Sequence, residues 1–219
     1  MLLFGLVVWA DFEAALFDPG MRQDTSIRYL RCPVMITKSE TGTVSASLTN
    51  PLDRPIKRYV RAHITDGYVT LMREINDLVP LDPGETQQLA WSVTADDAAF
   101  ERLILVKVIV RGRYPLPSQQ GTCGILVVDA PNLTGRQVFG ISLAISLLSM
   151  ALGFGVWFRA SKPLREGGHQ AVRAMAALTV GVLAGMIVGL MGWWATGIII
   201  FVVTLIGIGV IIGYFVDKV

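Results

Sequence analysis

Two long stretches without a single charge limit what this chain of 219 residues can become. Residues 137–158 contain no Asp, Glu, Lys or Arg, and residues 174–216 contain none over 43 positions. A helix needs about 20 apolar residues to cross roughly 30 Å of bilayer hydrocarbon. Residues 138–158 are therefore expected to form one membrane span. The 174–216 block is too long for one helix and suits two. Its natural break is Gly192-Trp193-Trp194-Ala195-Thr196-Gly197, because tryptophan favours the headgroup interface and glycine a tight turn. The expected hairpin occupies 171–194 and 196–216. Neither segment has a polar face, so a buried hairpin in a water-soluble protein fits poorly.

Residues 1–17 are apolar apart from Asp11 and Glu13. They lack the basic start and small-residue cleavage site of a secretory signal. Seventeen helical residues reach about 25 Å, which suits a short first span or an uncleaved signal anchor with the acidic pair at its outer end. A proton- or quinone-linked carboxylate pair is the sharper alternative for these two residues.

Orientation follows from the excess of Lys and Arg in cytoplasmic loops. The 159–173 loop carries Arg159, Lys162, Arg165 and Arg173 against Glu166, so it is expected inside the cytoplasm. That puts residues 18–136 outside it and both termini within, with four spans in a bacterial cytoplasmic (inner) membrane.

The 18–136 region has a different texture. It carries 14 basic and 13 acidic residues, an ordinary charge content for a water-facing domain. The shortage of charge, 16% for the whole chain against a usual quarter, therefore belongs to the spans. Over residues 25–130, short alternating runs are bounded by Gly, Pro, Asn and Asp, the pattern of an all-β sandwich. Strands are expected at 34–37, 43–49, 57–65, 69–75, 86–93, 103–110 and 124–128. Turns fall at Asn50-Pro51, Asp66-Gly67 and Asp82-Pro83-Gly84.

The run Val44-Ser-Ala-Ser-Leu-Thr-Asn50-Pro51, then Leu81-Asp-Pro83-Gly84-Glu85-Thr and Leu89-Ala-Trp-Ser-Val93, resembles bacterial Ig-like modules of the cell-adhesion-related and NEW3-like kind. The resemblance covers about residues 30–130. It implies a seven-stranded Ig-like sandwich in an extracytoplasmic setting and implies no ligand. The membrane region resembles no known family. Cys32 and Cys123 stand just before the first and last expected strands. Outside the cytoplasm a disulfide between them can persist, and it would staple the two ends of the domain.

Chemistry is sparse. His63 and His169 fall on opposite sides of the membrane, so they cannot share a metal, and no span contains a haem-ligating histidine. Haem-attachment, zinc-protease, phosphate-loop and nucleophile-elbow motifs are absent. No cofactor, metal site or catalytic residue is expected, and the chain is not read as an enzyme. A net charge of +2 gives no reason to expect nucleic acid.

What remains are surfaces. Gly181, Gly185 and Gly189 recur every fourth residue, and Gly209 and Gly213 repeat the spacing. Such stripes let helices approach closely in lipid, within the hairpin or against another subunit. Lys57, Arg58 and Arg61, with Arg111 and Arg113, form a candidate docking patch, or else a solvated sheet face. The expected function is a non-catalytic accessory or scaffold subunit of a larger membrane complex, an electron-transfer assembly being one class of host. Its partners would be other membrane subunits and the bilayer. The alternatives are a membrane-anchored module binding polymer, glycan or protein through Tyr68, Tyr114 or the 115–120 loop, and a small oligomeric transporter or channel.

Overall fold

The structure is a computed structural model that describes residues 2–18, 25–27, 29–160, 168–191 and 193–216. It divides into two compact units, Trp9–Phe139 and Met1–Val8 with Gly140–Val219. The elements are α1 (Leu2–Leu16), β1 (Thr25–Ser26), β2 (Leu30–Arg31), β3 (Met35–Thr37), β4 (Gly42–Thr49), β5 (Ile56–Asp66), β6 (Tyr68–Leu81), β7 (Thr86–Val93), β8 (Leu103–Val110), β9 (Gln119–Val128), α2 (Gly135–Ala160), α3 (Gly168–Leu190) and α4 (Trp194–Val216).

The Trp9–Phe139 unit is built on two β-sheets. One has the order β1-β9-β8-β5-β6, with β3 also pairing β9, and the other is β2-β4-β7. β1 and β3 run parallel to β9; the remaining pairs are antiparallel. Period-two alternation supplies the core between them. Val44, Ala46 and Leu48 of β4 and Trp91 and Val93 of β7 join Val60, Ala62 and Ile64 of β5 and Val106, Val108 and Val110 of β8. The indole Nε1 of Trp91 donates to Asp77 Oδ2 at 3.0 Å. All seven expected strands are present. Two are extended by five residues or more: 69–75 becomes Tyr68–Leu81, and 124–128 becomes Gln119–Val128.

The two turn motifs that carried the family resemblance meet at one side chain. Asn50 is fully buried. Its Nδ2 donates to the carbonyls of Arg54, Leu81 and Asp82 at 2.9, 3.2 and 3.0 Å, and its Oδ1 accepts from the Leu52 amide. The Gly84 amide, at φ +72° where only glycine sits without strain, donates to the Asn50 carbonyl. One amide side chain thus locks the Asn50-Pro51 turn to the Asp82-Pro83-Gly84 turn.

Cys32 and Cys123 form a disulfide with Cα atoms 6.5 Å apart, inside the range a bridge tolerates. Cys32 follows β2 of the small sheet and Cys123 lies in β9 of the large one. The bridge therefore ties sheet to sheet and packs against the core.

β8 is buried on both faces. Its inner residues line the core. Its outer side meets the second half of α1, where Ala14 and Phe17 pack on Leu105. The helix comes close enough that a Cβ on Gly124 would collide with the backbone of Ala10, and Asp11 Oδ1 accepts from the Gly124 amide at 3.3 Å. This corrects the expectation of a membrane span over 1–17. α1 has 15 residues, about 22 Å of helix, short of a bilayer core, and from Trp9 onward it belongs to the sandwich unit. Asp11 caps a strand amide and does not sit at the outer end of a span.

In the other unit α3 ends at Leu190 and α4 begins at Trp194, so the two helices of the expected hairpin part slightly earlier than the Trp-Gly pattern suggested; Gly192 lies outside the described residues. Among the described residues one stretch, Gly135–Gly153 in α2, is long and apolar enough to cross a membrane; Ala176–Gly189 and Ala195–Val210 are shorter apolar stretches. Four full spans are therefore not what the helices display. α2 is also the least covered helix. Ile145, Leu148, Leu152 and Val156 are exposed, and Gly140, Gly153 and Gly155 face open space.

The glycine stripes divide. A Cβ on Gly185 would lie 2.8 Å from Phe4 Cε1 and 2.9 Å from Ile200 Cγ2. Gly189 and Gly197 both face Val8, and Gly181 faces Thr204 Oγ1 at 3.4 Å. The Phe4 ring then meets Phe201 edge-on, with centroids 5.5 Å apart. The α3 stripe thus packs α1 and α4. Gly209 and Gly213 have no neighbour within 4 Å, so their expected packing role finds no partner in the chain's described residues. Of the topology residues, Arg159 closes α2. Lys162 and Arg165 lie outside the described residues, and Arg173 falls within α3, so the connection is shorter than the expected 159–173 loop.

Candidate functional site

The candidate docking patch is divided between the two faces of β5. Along β5 the side chains alternate, so Lys57, Tyr59, Arg61 and His63 share the face away from the core, while Arg58 points to the other. On the outer face Arg61 is already engaged. Its Nε lies 3.0 Å from Glu74 Oε1 and donates to Asn76 Oδ1 at 3.1 Å. Arg61 and Arg111 both sit against the Tyr59 ring, 5.9 and 5.1 Å from its centroid. The Asn76 amide, seconded by Arg61, holds the Glu74 carboxyl below its usual range.

Farther along the same face is a cluster that sequence reasoning missed. His63, only 3% exposed, has Nδ1 2.7 Å from Asp18 Oδ2 and Nε2 3.8 Å from Glu74 Oε2. The buried Lys107 ammonium donates to the carbonyls of Phe17 at 3.4 Å and of Asp18. Burial pushes Lys107 below the usual lysine range, and the Asp18 charge opposes that shift. The cluster reads as a clamp fastening the end of α1 to β5 and β8. Among the described residues no group of three or more His, Cys, Asp and Glu is arranged to hold a metal ion.

Two surface features stand apart from the rest, one concave and one apolar. Arg58 is 5% exposed and borders a cavity of about 160 Å³ lined also by Ile27, Tyr29, Thr49, Leu116 and Pro117. One guanidinium nitrogen donates to the Pro117 carbonyl at 3.2 Å, and burial lowers the group's pKa. The 115–120 loop therefore does line a cavity, whereas Tyr114 points to solvent at 91% exposure. At the other end, Tyr68 and Phe100 are 59% and 69% exposed and stack edge to face, with centroids 6.4 Å apart. They border a shallow depression with Lys38, Gly67, Asp96 and Glu101. Tyr68 was legible as a candidate; Phe100, in a loop without period, was not.

No family model matches the sequence, and no curated protein matches it. Similar solved structures include the CARDB domain of a Pyrococcus furiosus protein, determined with di-metal ions. It is 16% identical with TM-score 0.36, over 46% of this chain and 90% of that one. The alkylpurine DNA glycosylase AlkC of Pseudomonas fluorescens is 20% identical with TM-score 0.36, over 48% of this chain and 30% of that one. A Paenibacillus cycloisomaltooligosaccharide glucanotransferase is 12% identical with TM-score 0.37, over 50% of this chain and 15% of that one. The sheet order and the shared apolar core make the Trp9–Phe139 unit a β-sandwich.

Proposed function

We propose that this chain is a non-catalytic accessory subunit of a larger bacterial membrane assembly. Its sandwich lies outside the cytoplasm, and α2, α3 and α4 cross the inner membrane. α1 adds Phe4 and Val8 to the helical unit. The observation that carries this reading is α2. It is free of charge over 22 residues, has no charged face, and is largely uncovered by the described residues. Such a helix needs lipid or another helix against it. The open faces of Gly209 and Gly213 give a second subunit a close approach. The disulfide supports an oxidising compartment for the sandwich, and Arg159 at the far end of α2 supports a cytoplasmic loop there. Membership of the cell-adhesion-related Ig-like family is part of this proposal, as is an electron-transfer complex as host. Purification from native membranes in mild detergent, followed by mass spectrometry, tests it. Stoichiometric membrane partners are expected, and recovery of a clean monomer would refute the subunit role.

A second reading, a membrane-anchored module that binds a surface ligand, draws on the Arg58 cavity and its 115–120 loop. It predicts ligand capture by the purified monomer that Arg58→Met abolishes.

A further inference from the structure

The loops at one end of the sandwich collect an exposed apolar rim. β5 and β6 turn at Gly67, with φ +71°, and residues 68–72 of β6 are exposed on both faces because the hairpin overhangs the core. The Gly67 carbonyl accepts from the Phe100 amide at 3.2 Å. Phe100 and Glu101 adopt φ +53° and +58°, a left-handed conformation costly for non-glycine residues, and Phe100 stands outward against Tyr68. Val69, Leu71, Met72 and Leu133 extend the exposed set.

This is the end from which the chain leaves for α2. β9 finishes at Val128 beside Thr37 of β3. Lys38 pairs with both Glu101 and Asp129, at 3.4 and 3.7 Å, which joins the Phe100 loop to the exit segment. Six residues later α2 begins. Its first residue, Gly135, donates its amide to Glu40 Oε2 at 2.6 Å, and a Cβ there would strike the backbone of Met35. The start of α2 is thus fastened to the same end as the rim, and the charge-free run opens at residue 137.

We infer that the Tyr68–Phe100 rim inserts into the headgroup boundary of the bilayer that α2 crosses, so that the sandwich is seated on lipid as well as tethered to it. The inference rests on the reading of α2 as a span. Tyrosine is enriched at that boundary, where its ring sits at headgroup level, and Phe and Leu are apolar residues that interfacial segments bury there. Asp66, Asp96, Glu101 and Asp129 accompany them, so the seating is apolar and does not depend on anionic lipid.

The two native cysteines are bridged, so single engineered cysteines can carry a fluorescent NBD label in the full chain. The labelled positions are Tyr68→Cys and Phe100→Cys at the rim, Asp53→Cys in an exposed loop at the far end, and Leu148→Cys in α2. In phosphatidylcholine vesicles, the rim labels are expected to shift to the blue and to be quenched by a headgroup nitroxide. The residue-53 label keeps its water spectrum, and the residue-148 label is quenched by an acyl-chain nitroxide. Rim labels that stay in water while residue 148 is quenched would overturn the inference and leave the span intact. A residue-148 label in water would overturn the span itself. Rim labels shielded in native membranes but not in pure lipid would assign the rim to a protein partner, which also overturns it.

Discussion

Replacing both Cys32 and Cys123 with serine is expected to speed amide exchange at Val106, Val108 and Val110 by roughly three orders of magnitude in the detergent-solubilised full chain. The bridge closes a loop with a sequence separation of 91. In the loop-closure treatment this restricts the unfolded chain by about 4.6 kcal/mol, and measured removals in small domains usually cost about 2–5 kcal/mol. The geometry favours the upper part of that range, because the bridge joins sheets that share no strand pairing and its sulfurs pack against the core. These three β8 amides lie in a central strand bonded on both sides, so they exchange through global opening of the sandwich. Protection that is unchanged in the double variant would mean that the bridge is dispensable to the fold.

The second large effect lies in the helical unit. Gly185→Leu places a side chain where the Phe4 ring and Ile200 already sit. Overpacking of this kind costs about 1–3 kcal/mol, and more when neither neighbour can yield. Phe4 is nearly fully buried and braced by Phe201, so relief has to come from separating α1 from α3. Gly209→Leu meets open space and is expected to change thermal stability by less than about 0.5 kcal/mol. Thermal denaturation of both variants in one detergent checks the contrast. Equal losses at the two positions would contradict the packing described.

The sandwich was largely legible because strands such as β4, β5 and β7 alternate and the turns between them carry specific turn chemistry. β1 and β2 were not, since two-residue strands carry no period. β6 runs beyond the expected 69–75 to Leu81 and includes Pro80, which the edge strand of a sheet tolerates. The covering of the large sheet by α1 did leave a signal. Leu103-Ile-Leu-Val-Lys-Val-Ile-Val110 is continuously apolar but for Lys107, the run of a strand buried on both faces, where a half-solvated strand would alternate. The same alternation rule separates Arg58 from Lys57 and Arg61. By contrast, the meeting of His63, Asp18 and Lys107 depends on where α1 ends against two distant strands, and no local pattern carries that. The α3 glycines were readable as a packing stripe, but not which stripe would find a partner.

We propose a sandwich held outside the cytoplasm by an apolar helical anchor. Labelling of intact spheroplasts with a membrane-impermeant maleimide tests it most directly. Asp53→Cys is expected to react at once, whereas Ser161→Cys in the α2–α3 connection reacts only after the membrane is opened. Protection of residue 53 together with immediate reaction at residue 161 would invert the topology and contradict the account.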